Sequence, residues 1–235
     1  MIIGTICPGS KKHVQWKECL SCNSFNCPSV EERLLMIKEL QHESDKTRVR
    51  ASRIAMGCEA SDILIKTMDI YVPMDLMTIF MIGNGTHNEI QRAYRPEQVE
   101  VGVEAKIDNF TISGHIDLYV KGDIIDIKTC STFAGMPKFH HKNQVSIYAL
   151  LARHHGLKVN KLWIHAVNKV TGERRWYSIP KLTMTWDDIL RYARNVTGFL
   201  RGENIKPEFK RGSSACKWCW VNKYCEMFYE SIYGK

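Results

Sequence analysis

The sequence lacks the features that would place it in a membrane or a secretory pathway. No apolar run approaches the ~18 residues that a membrane-spanning helix needs. The first residues, from Met1 to Cys7, do not combine a basic region with an apolar segment, so no secretory signal is predicted. Internal repeats, low-complexity segments and long linkers are also missing. We therefore predict a cytoplasmic or nucleoid-associated protein, located in the host cytoplasm if it is viral.

What is present indicates a folded protein with a basic surface. The chain has 235 residues, 44 % of them hydrophobic, which is enough for a real core and fits one large domain or two small ones. Lysine and arginine number 33 against 25 aspartates and glutamates, giving a net charge of +8. This balance fits a polyanion partner, although a charge run is usually just a solvated face.

Seven of the nine cysteines fall into two groups near the ends of the chain, and Cys58 and Cys130 stand alone between them. Both groups contain a Cys-x-x-Cys pair, which without a signal peptide indicates metal ligands in a reducing compartment. The first group can close a tetrahedral zinc site by itself, or can be a loop of reduced cysteines. The second group supplies three ligands and needs a fourth, for which Cys58 and Cys130 are the candidates. The first group is Cys7, Cys19, Cys22 and Cys27, and the second is Cys216, Cys219 and Cys225.

Hydrophobic periodicity predicts an α/β core. Two glycines inside the third predicted helix, Gly83 and Gly85, predict a break there or the close approach of a backbone or ligand. The predicted helices are 30–42, 52–68, 76–94, 144–155 and 185–201. The predicted strands are 99–107, 110–120 and 124–128, which form a meander, and 161–168 with 174–179, which form a hairpin.

The stretches Gly114-His115-Ile116-Asp117 and Asp126-Ile127-Lys128 carry the chemistry. Alternate residues of a strand share a face, so Asp126 and Lys128 point the same way, and a hairpin brings Asp117 beside them. Converging carboxylates are tolerated when a divalent cation lies between them, and oxygen ligands suit Mg²⁺ or Mn²⁺. A lysine there is placed to orient or deprotonate a water or to stabilise a phosphate. This set predicts phosphodiester hydrolysis.

Five motifs in this order resemble the RecB-like branch of the PD-(D/E)xK nucleases, in particular the iron–sulfur exonucleases of CRISPR adaptation and of AddAB-type helicase–nucleases. One departure is Asn88-Glu89, where the family usually has adjacent histidine and glutamate. The motifs are Gly83 to Glu89, Gly114 to Asp117, Asp126 to Lys128, Gln144 to Tyr148, and Ser52 to Cys58 followed by the C-terminal cysteines.

The resemblance implies a role for each matching residue. It implies Mg²⁺ or Mn²⁺ ligands, a catalytic lysine, two residues that orient the lysine or the DNA backbone, and a 4Fe-4S cluster. The metal ligands are His87, Asp117, Asp126 and the Ile127 carbonyl; the lysine is Lys128; the orienting residues are Gln144 and Tyr148; and the cluster ligands are Cys58, Cys216, Cys219 and Cys225. Lys138, His140 and Lys142 are predicted phosphate contacts, or else a solvated loop.

The N-terminal cysteines have no counterpart in the family. One prediction is that they form a zinc module that docks on the nuclease or binds DNA. The alternative is that Cys27, and not Cys58, is the fourth ligand of the 4Fe-4S cluster. The predicted fold is α/β, with a restriction-endonuclease-like core, a mixed central sheet flanked by helices, in residues 30–205. The predicted zinc module is residues 1–29 and the iron–sulfur clasp residues 206–235.

We therefore predict a metal-dependent DNA exonuclease that acts on single-stranded ends in recombination, repair or CRISPR spacer acquisition. The alternative is a non-catalytic DNA- or partner-binding protein on a nuclease-like fold. The sequence has no Gly-x4-Gly-Lys-Ser/Thr motif, the phosphate-binding loop of helicases, so any helicase that works with it is expected to be a separate chain. CRISPR adaptation proteins are the other expected partners. No membrane partner is expected.

Overall fold

The computed structural model describes residues 2–7, 9–22, 45–210, 212, 216, 219 and 221–234. The predicted helix 30–42 and Cys27 lie outside these residues. The chain divides into two compact units. The terminal unit comprises Met1–Lys46, Ala60–Asn84 and Phe209–Lys235, and the sheet unit comprises Thr47–Glu59 and Gly85–Glu208.

The described elements alternate between strands and helices. The strands are β1 (Ile2–Ile6), β2 (His13–Gln15), β3 (Arg48–Arg50), β4 (Ile70–Pro73), β5 (Val99–Ile107), β6 (Phe110–Val120), β7 (Asp123–Cys130), β8 (Leu162–Asn168) and β9 (Arg174–Ser178). The helices are α1 (Trp16–Ser21), α2 (Ala51–Met56), α3 (Glu59–Thr67), α4 (Met74–Gln91), α5 (Phe139–His154), α6 (Trp186–Leu200) and α7 (Asn222–Tyr233). Among the described helices, none has the length and hydropathy that crossing a bilayer requires.

The sheet unit is built on a mixed six-stranded sheet with the order β3-β6-β7-β8-β9, in which β5 also pairs with β6. Strands β5, β6 and β7 form an antiparallel meander, while β7 and β8 run parallel. Alternate positions of β7 are apolar, and Ile125 and Ile127 pack in one cluster with Leu118 and Ile90. Helix α5 packs across β5 to β8. The predicted mixed sheet flanked by helices is confirmed.

The terminal unit contains a smaller sheet and a separate apolar cluster. Strand β1 lies between β2 and β4, antiparallel to the first and parallel to the second. Leu64, Ile65, Ile70 and Val221 form the buried cluster, so residues of α3 pack against residues near the C-terminus. The sequence pattern predicted neither this sheet nor α7.

The meander, the hairpin and the existence of the helix predicted at 144–155 are confirmed, whereas the start of that helix and two other helix predictions are wrong. Helix 52–68 is two helices, because Gly57 adopts a left-handed φ of 68° that ends the first one. Helix α4 continues through both Gly83 and Gly85, and a Cβ on Gly85 would meet nothing within 4 Å. Helix α5 begins at Phe139, five residues earlier than predicted, because its polar first turn hid it.

Candidate active site

Asp126 and Lys128 form a direct ion pair on β7. Lys128 Nζ donates to Asp126 Oδ1 at 2.8 Å. The Asp126 side chain is completely buried, and its Oδ2 has no hydrogen-bond partner among the described residues. Burying a carboxylate oxygen without a partner is costly, so this atom marks a place where a ligand belongs.

Asp117 and His87 complete the cluster from two other elements. Strand β6 carries Asp117 beside β7, where Asp117 Oδ2 accepts a hydrogen bond from the Ile127 backbone N–H at 2.6 Å. His87 Nδ1, near the end of α4, lies 3.6 Å from the same oxygen. The structure thus brings Asp117 beside Asp126, as the hairpin argument predicted, and also places His87, which the family resemblance implied, at the same cluster.

Burial sets the electrostatics of this cluster. It raises the pKa of Asp117 and of Asp126 to about 6, against the opposing effect of Lys128. Burial lowers the pKa of His87, as does Lys128, so the imidazole is neutral near pH 7. For Lys128, burial alone would lower the pKa, but Asp126 and Asp117 outweigh it and raise the pKa. The lysine is therefore a cation among carboxylates.

This arrangement coincides with a family match. The model of the PD-(D/E)XK nuclease superfamily matches residues 74–226, more than half of the chain. The chain belongs to the PD-(D/E)XK nuclease superfamily. The match includes all three strands of the meander and the whole of α5.

Solved structures resemble the chain in fold at low sequence identity. The crystal structure of SSO0001 aligns with a TM-score of 0.60 at 18 % identity, covering 83 % of this chain and 93 % of that one. A candidate exonuclease from Eubacterium rectale aligns with a TM-score of 0.36 at 15 % identity, covering 61 % and 59 %, which is too distant to carry an argument. No curated protein matches the sequence.

The donor set of this nuclease fits a hard divalent cation. Among the described residues, no group of three or more His, Cys, Asp or Glu side chains is arranged so that it could hold a metal ion. Asp117, Asp126 and His87 nevertheless supply two carboxylates and one neutral imidazole, with an oxygen of Asp126 left unpartnered. These are the ligand types that Mg²⁺ and Mn²⁺ accept.

The motif from Gln144 to Tyr148 contacts the motif that begins at Gly114. Gln144 Nε2 donates to the hydroxyl of the buried Tyr148 at 2.7 Å, one helical turn along α5. A Cβ on Gly114 would lie 2.6 Å from Tyr148 Cε1 and 3.1 Å from Ala51 Cβ. Only glycine therefore lets the tyrosine ring reach β6. Burial raises the pKa of Tyr148, as do Asp117 and Asp126, so its hydroxyl stays protonated.

The sequence pattern did not single out Glu100, which the structure places opposite Asp117 on β5. Its backbone has φ 48°, a left-handed conformation that a glutamate inside a strand rarely adopts. Gln91 Nε2 bridges Glu100 Oε1 at 2.6 Å and the Asp117 carbonyl at 3.2 Å. The charge of Glu100 also raises the pKa of Asp117 and of Lys128, after larger causes. The available signal was a glutamate flanked by apolar residues inside a predicted strand, but Glu104 shares that signal.

The first turn of α5 holds the predicted phosphate contacts. It contains no acidic residue. Burial, followed by Lys138, lowers the pKa of His140 to about 4, and burial, followed by Lys128, lowers that of His141 to about 2. Both rings are neutral near pH 7, so of the predicted contacts here only Lys138 and Lys142 carry charge. Phe139 between them is 65 % exposed.

The described cysteines lie in varied surroundings. Cys7 Sγ accepts a long hydrogen bond from the Ser10 N–H at 3.5 Å, and Cys216 Sγ donates to the Lys210 carbonyl at 3.1 Å. Cys219 and Cys225 are partly buried against the apolar cluster of the terminal unit. In the described ranges, no group of three or more thiols is arranged to hold a metal ion, so these residues do not yet fit either a zinc ion or an iron–sulfur cluster.

Proposed function

We propose that the chain is a metal-dependent DNA exonuclease acting on single-stranded ends. The observation that carries the proposal is the completely buried Asp126, which shares one oxygen with Lys128 and keeps the other unpartnered beside Asp117. Carboxylates held this way are suited to a divalent cation and a phosphate. Membership of a nuclease superfamily supports hydrolysis, whereas the exonuclease mode rests on the family resemblance.

In this proposal His87, Asp117, Asp126 and the Ile127 carbonyl hold Mg²⁺ or Mn²⁺. The ion, when bound, supplies Lewis-acid stabilisation of charge on the scissile phosphate. The neutral imidazole and the two carboxylates are the correct ligand forms once both carboxylates are ionised.

Lys128 acts as a fixed cation, not as a base. Its pKa is raised, so it keeps its proton near pH 7 and cannot remove one from water. Instead Nζ orients the attacking water by hydrogen bonding and stabilises negative charge on the phosphate. The water oxygen forms the new bond to phosphorus, and the bond from phosphorus to the departing deoxyribose oxygen breaks. The attacking water gives a proton to solvent, and the departing oxygen takes up a proton from solvent.

Gln144 and Tyr148 serve as positioning residues. Their hydrogen bond and the contact of Tyr148 with Gly114 fix α5 against β6, which carries Asp117. Lys138 and Lys142, with His140 as a neutral hydrogen-bonding partner, contact DNA phosphates at the start of the same helix. DNA ends from a separate helicase, in recombination or repair, or spacer precursors in CRISPR adaptation, are the proposed substrates.

A labelled single-stranded oligonucleotide tests the proposal. With Mg²⁺ or Mn²⁺ the wild-type protein should shorten it stepwise from an end, and Asp126→Asn should abolish cutting without unfolding. Lys121→Gln, a substitution in the exposed turn after β6, is the matched control and should cut normally. Cutting that persists in Asp126→Asn, or in wild type with EDTA, would contradict the assignment. If the assay yields internal fragments and no products shortened from an end, the protein is an endonuclease and not an exonuclease.

A further inference from the structure

An open cleft of about 470 Å³ borders β9, the edge strand of the six-stranded sheet. Its walls come from β9, from the segment that follows β9 and from the beginning of α5. None of its lining residues is acidic, and those used below are Pro137, Lys142, Trp176, Pro180 and Lys181. The cleft therefore offers apolar surface together with positive charge.

Trp176 is a rigid aromatic platform in this cleft. The residue is 48 % exposed, which is unusual for tryptophan, yet His165 stacks on its ring at 4.0 Å and an interplanar angle of 7°. Trp163 contacts the same ring edge-on at 6.4 Å. Two neighbouring rings thus fix its orientation, while about half of the residue stays available to a ligand.

His165 has no other visible task that explains its position. It is 3 % exposed, and neither ring nitrogen has a hydrogen-bond partner within the described part of the chain. Burial lowers the pKa of His165, so the ring is neutral. Placing unpaired polar atoms in the interior costs stability. We infer that His165 is kept in this position because its ring stacks on Trp176 and holds the indole in place.

Two lysines supply the charge of the cleft. Lys142 lies in the first turn of α5 and Lys181 follows β9. Within the described residues neither has a carboxylate partner at ion-pair distance. An aromatic platform flanked by such cations is the combination that binds single-stranded nucleic acid, in which bases stack and phosphates meet lysines.

The cleft is connected to the active site through α5. Lys142 follows His140 and His141, and the charge of Lys128 acts on both imidazoles. The start of α5 is therefore within electrostatic reach of the active-site lysine.

We propose that this cleft binds one nucleotide of single-stranded DNA, with its base stacked on Trp176 and its phosphate held by Lys142 and Lys181. The inference rests on the proposed function and names its substrate class, because stacking requires a base with an open face. A base inside a duplex has both faces covered, so the cleft selects single strands or frayed ends.

Fluorescence anisotropy of a labelled oligonucleotide in EDTA tests the cleft without cleavage. Trp176→Ala should raise Kd about five- to 150-fold, the range for losing one base stack, and Trp176→Phe should restore most of the affinity. Leu182→Ala is the matched control, because Leu182 is 36 % exposed beside the cleft but does not line it, and its Kd should equal wild type. Lys142→Gln and Lys181→Gln should each reduce the salt-dependence slope by about 0.7.

An unchanged Kd in Trp176→Ala would contradict nucleotide binding at the cleft. An equal loss of affinity in Leu182→Ala would contradict it as well. Lys181 is exposed and Lys142 is only half-buried, so neither substitution should unfold the protein. An unchanged salt slope in the lysine variants would therefore contradict binding at the cleft even if Trp176→Ala failed to fold. Equal effects on a duplex would remove the preference for single strands. The two proposals fail separately: wild type that binds but never cuts with Mn²⁺ contradicts the nuclease, whereas active Trp176→Ala with unchanged KM contradicts only the cleft.

Discussion

The two units hold reactive side chains in opposite ways. In the sheet unit, the carboxylates of Asp117 and Asp126 are bound by the Ile127 N–H and by Lys128 on adjacent strands. In the terminal unit, Cys219 and Cys225 pack against apolar side chains. The sheet backbone fixes the first arrangement by itself. The second depends on segments from distant parts of the sequence, because α3 and residues near the C-terminus form the same apolar cluster.

Removal of the Lys128 charge should have the largest effect on activity. Lys128→Met should lower kcat about 10²- to 10³-fold, since it deletes a charge aimed at the phosphate. It also leaves the buried Asp126 without its cation, so the free energy of unfolding in urea should fall by about 3 kcal/mol.

The control is Lys106→Met on strand β5 of the same sheet, because the Lys106 side chain is 78 % exposed. Its kcat should match wild type and its stability should stay within about 0.5 kcal/mol. If Lys128→Met had a normal kcat, the catalytic charge would lie elsewhere, and Asp117, Asp126 and Lys128 of the sheet unit would not be the reactive site.

The terminal unit is tested by its metal content. If the family resemblance extends to the C-terminal cysteines and the N-terminal group forms the predicted zinc module, anaerobically purified protein should contain about four irons and one zinc per chain by elemental analysis. Cys225→Ser should remove the iron and the brown colour, Cys7→Ser should remove the zinc, and Cys130→Ser should remove neither. Iron without zinc would eliminate the N-terminal module, and protein free of both metals would eliminate both cysteine sites.

Sequence reasoning succeeded where one regular element sets the geometry. Asp126 and Lys128 are two residues apart on a strand, and Gln144 and Tyr148 are four apart on a helix, so both pairs could be placed side by side in advance. Glu100 could not be, because its contact with Gln91 depends on a left-handed residue that no local pattern predicts. Trp176 likewise became a candidate only when β8 put His165 beside it.

The contact between two motifs gives a stability test of the sheet unit. Gly114→Ala places a Cβ 2.6 Å from the Tyr148 ring, so either the helix or the strand must shift. The free energy of unfolding should fall by about 1–3 kcal/mol in urea. Gly102→Ala on β5 is the matched control, because its Cβ would meet only His115 at 3.8 Å, and it should unfold like wild type. Equal losses in both variants would show a general cost of alanine instead of the Tyr148 contact.

Glu100→Gln should have a smaller effect on the same site. Loss of this charge opposite Asp117 should lower kcat about tenfold, by analogy with other groups that orient metal ligands, and should raise the Mn²⁺ concentration for half-maximal activity. Glu104→Gln, on the same strand and paired with Arg48 and Lys106, should change neither value. A purely structural role would not alter the metal dependence. An unchanged Mn²⁺ requirement would therefore show that Glu100 stabilises β5 and does not act on the metal site.

The smallest effect is expected at His140, and it separates hydrogen bonding from charge. An ordinary histidine gains its proton as pH falls through about 6.5, which would tighten DNA binding. Because the pKa of His140 is lowered to about 4, its ring stays neutral above that pH. Oligonucleotide Kd in EDTA should therefore show no tightening due to His140 between about pH 7.5 and 5.5, and His140→Gln should change Kd less than about twofold. Lys142→Gln should weaken binding at both pH values. Acid-induced tightening that disappears in His140→Gln would show that this imidazole is a cation after all.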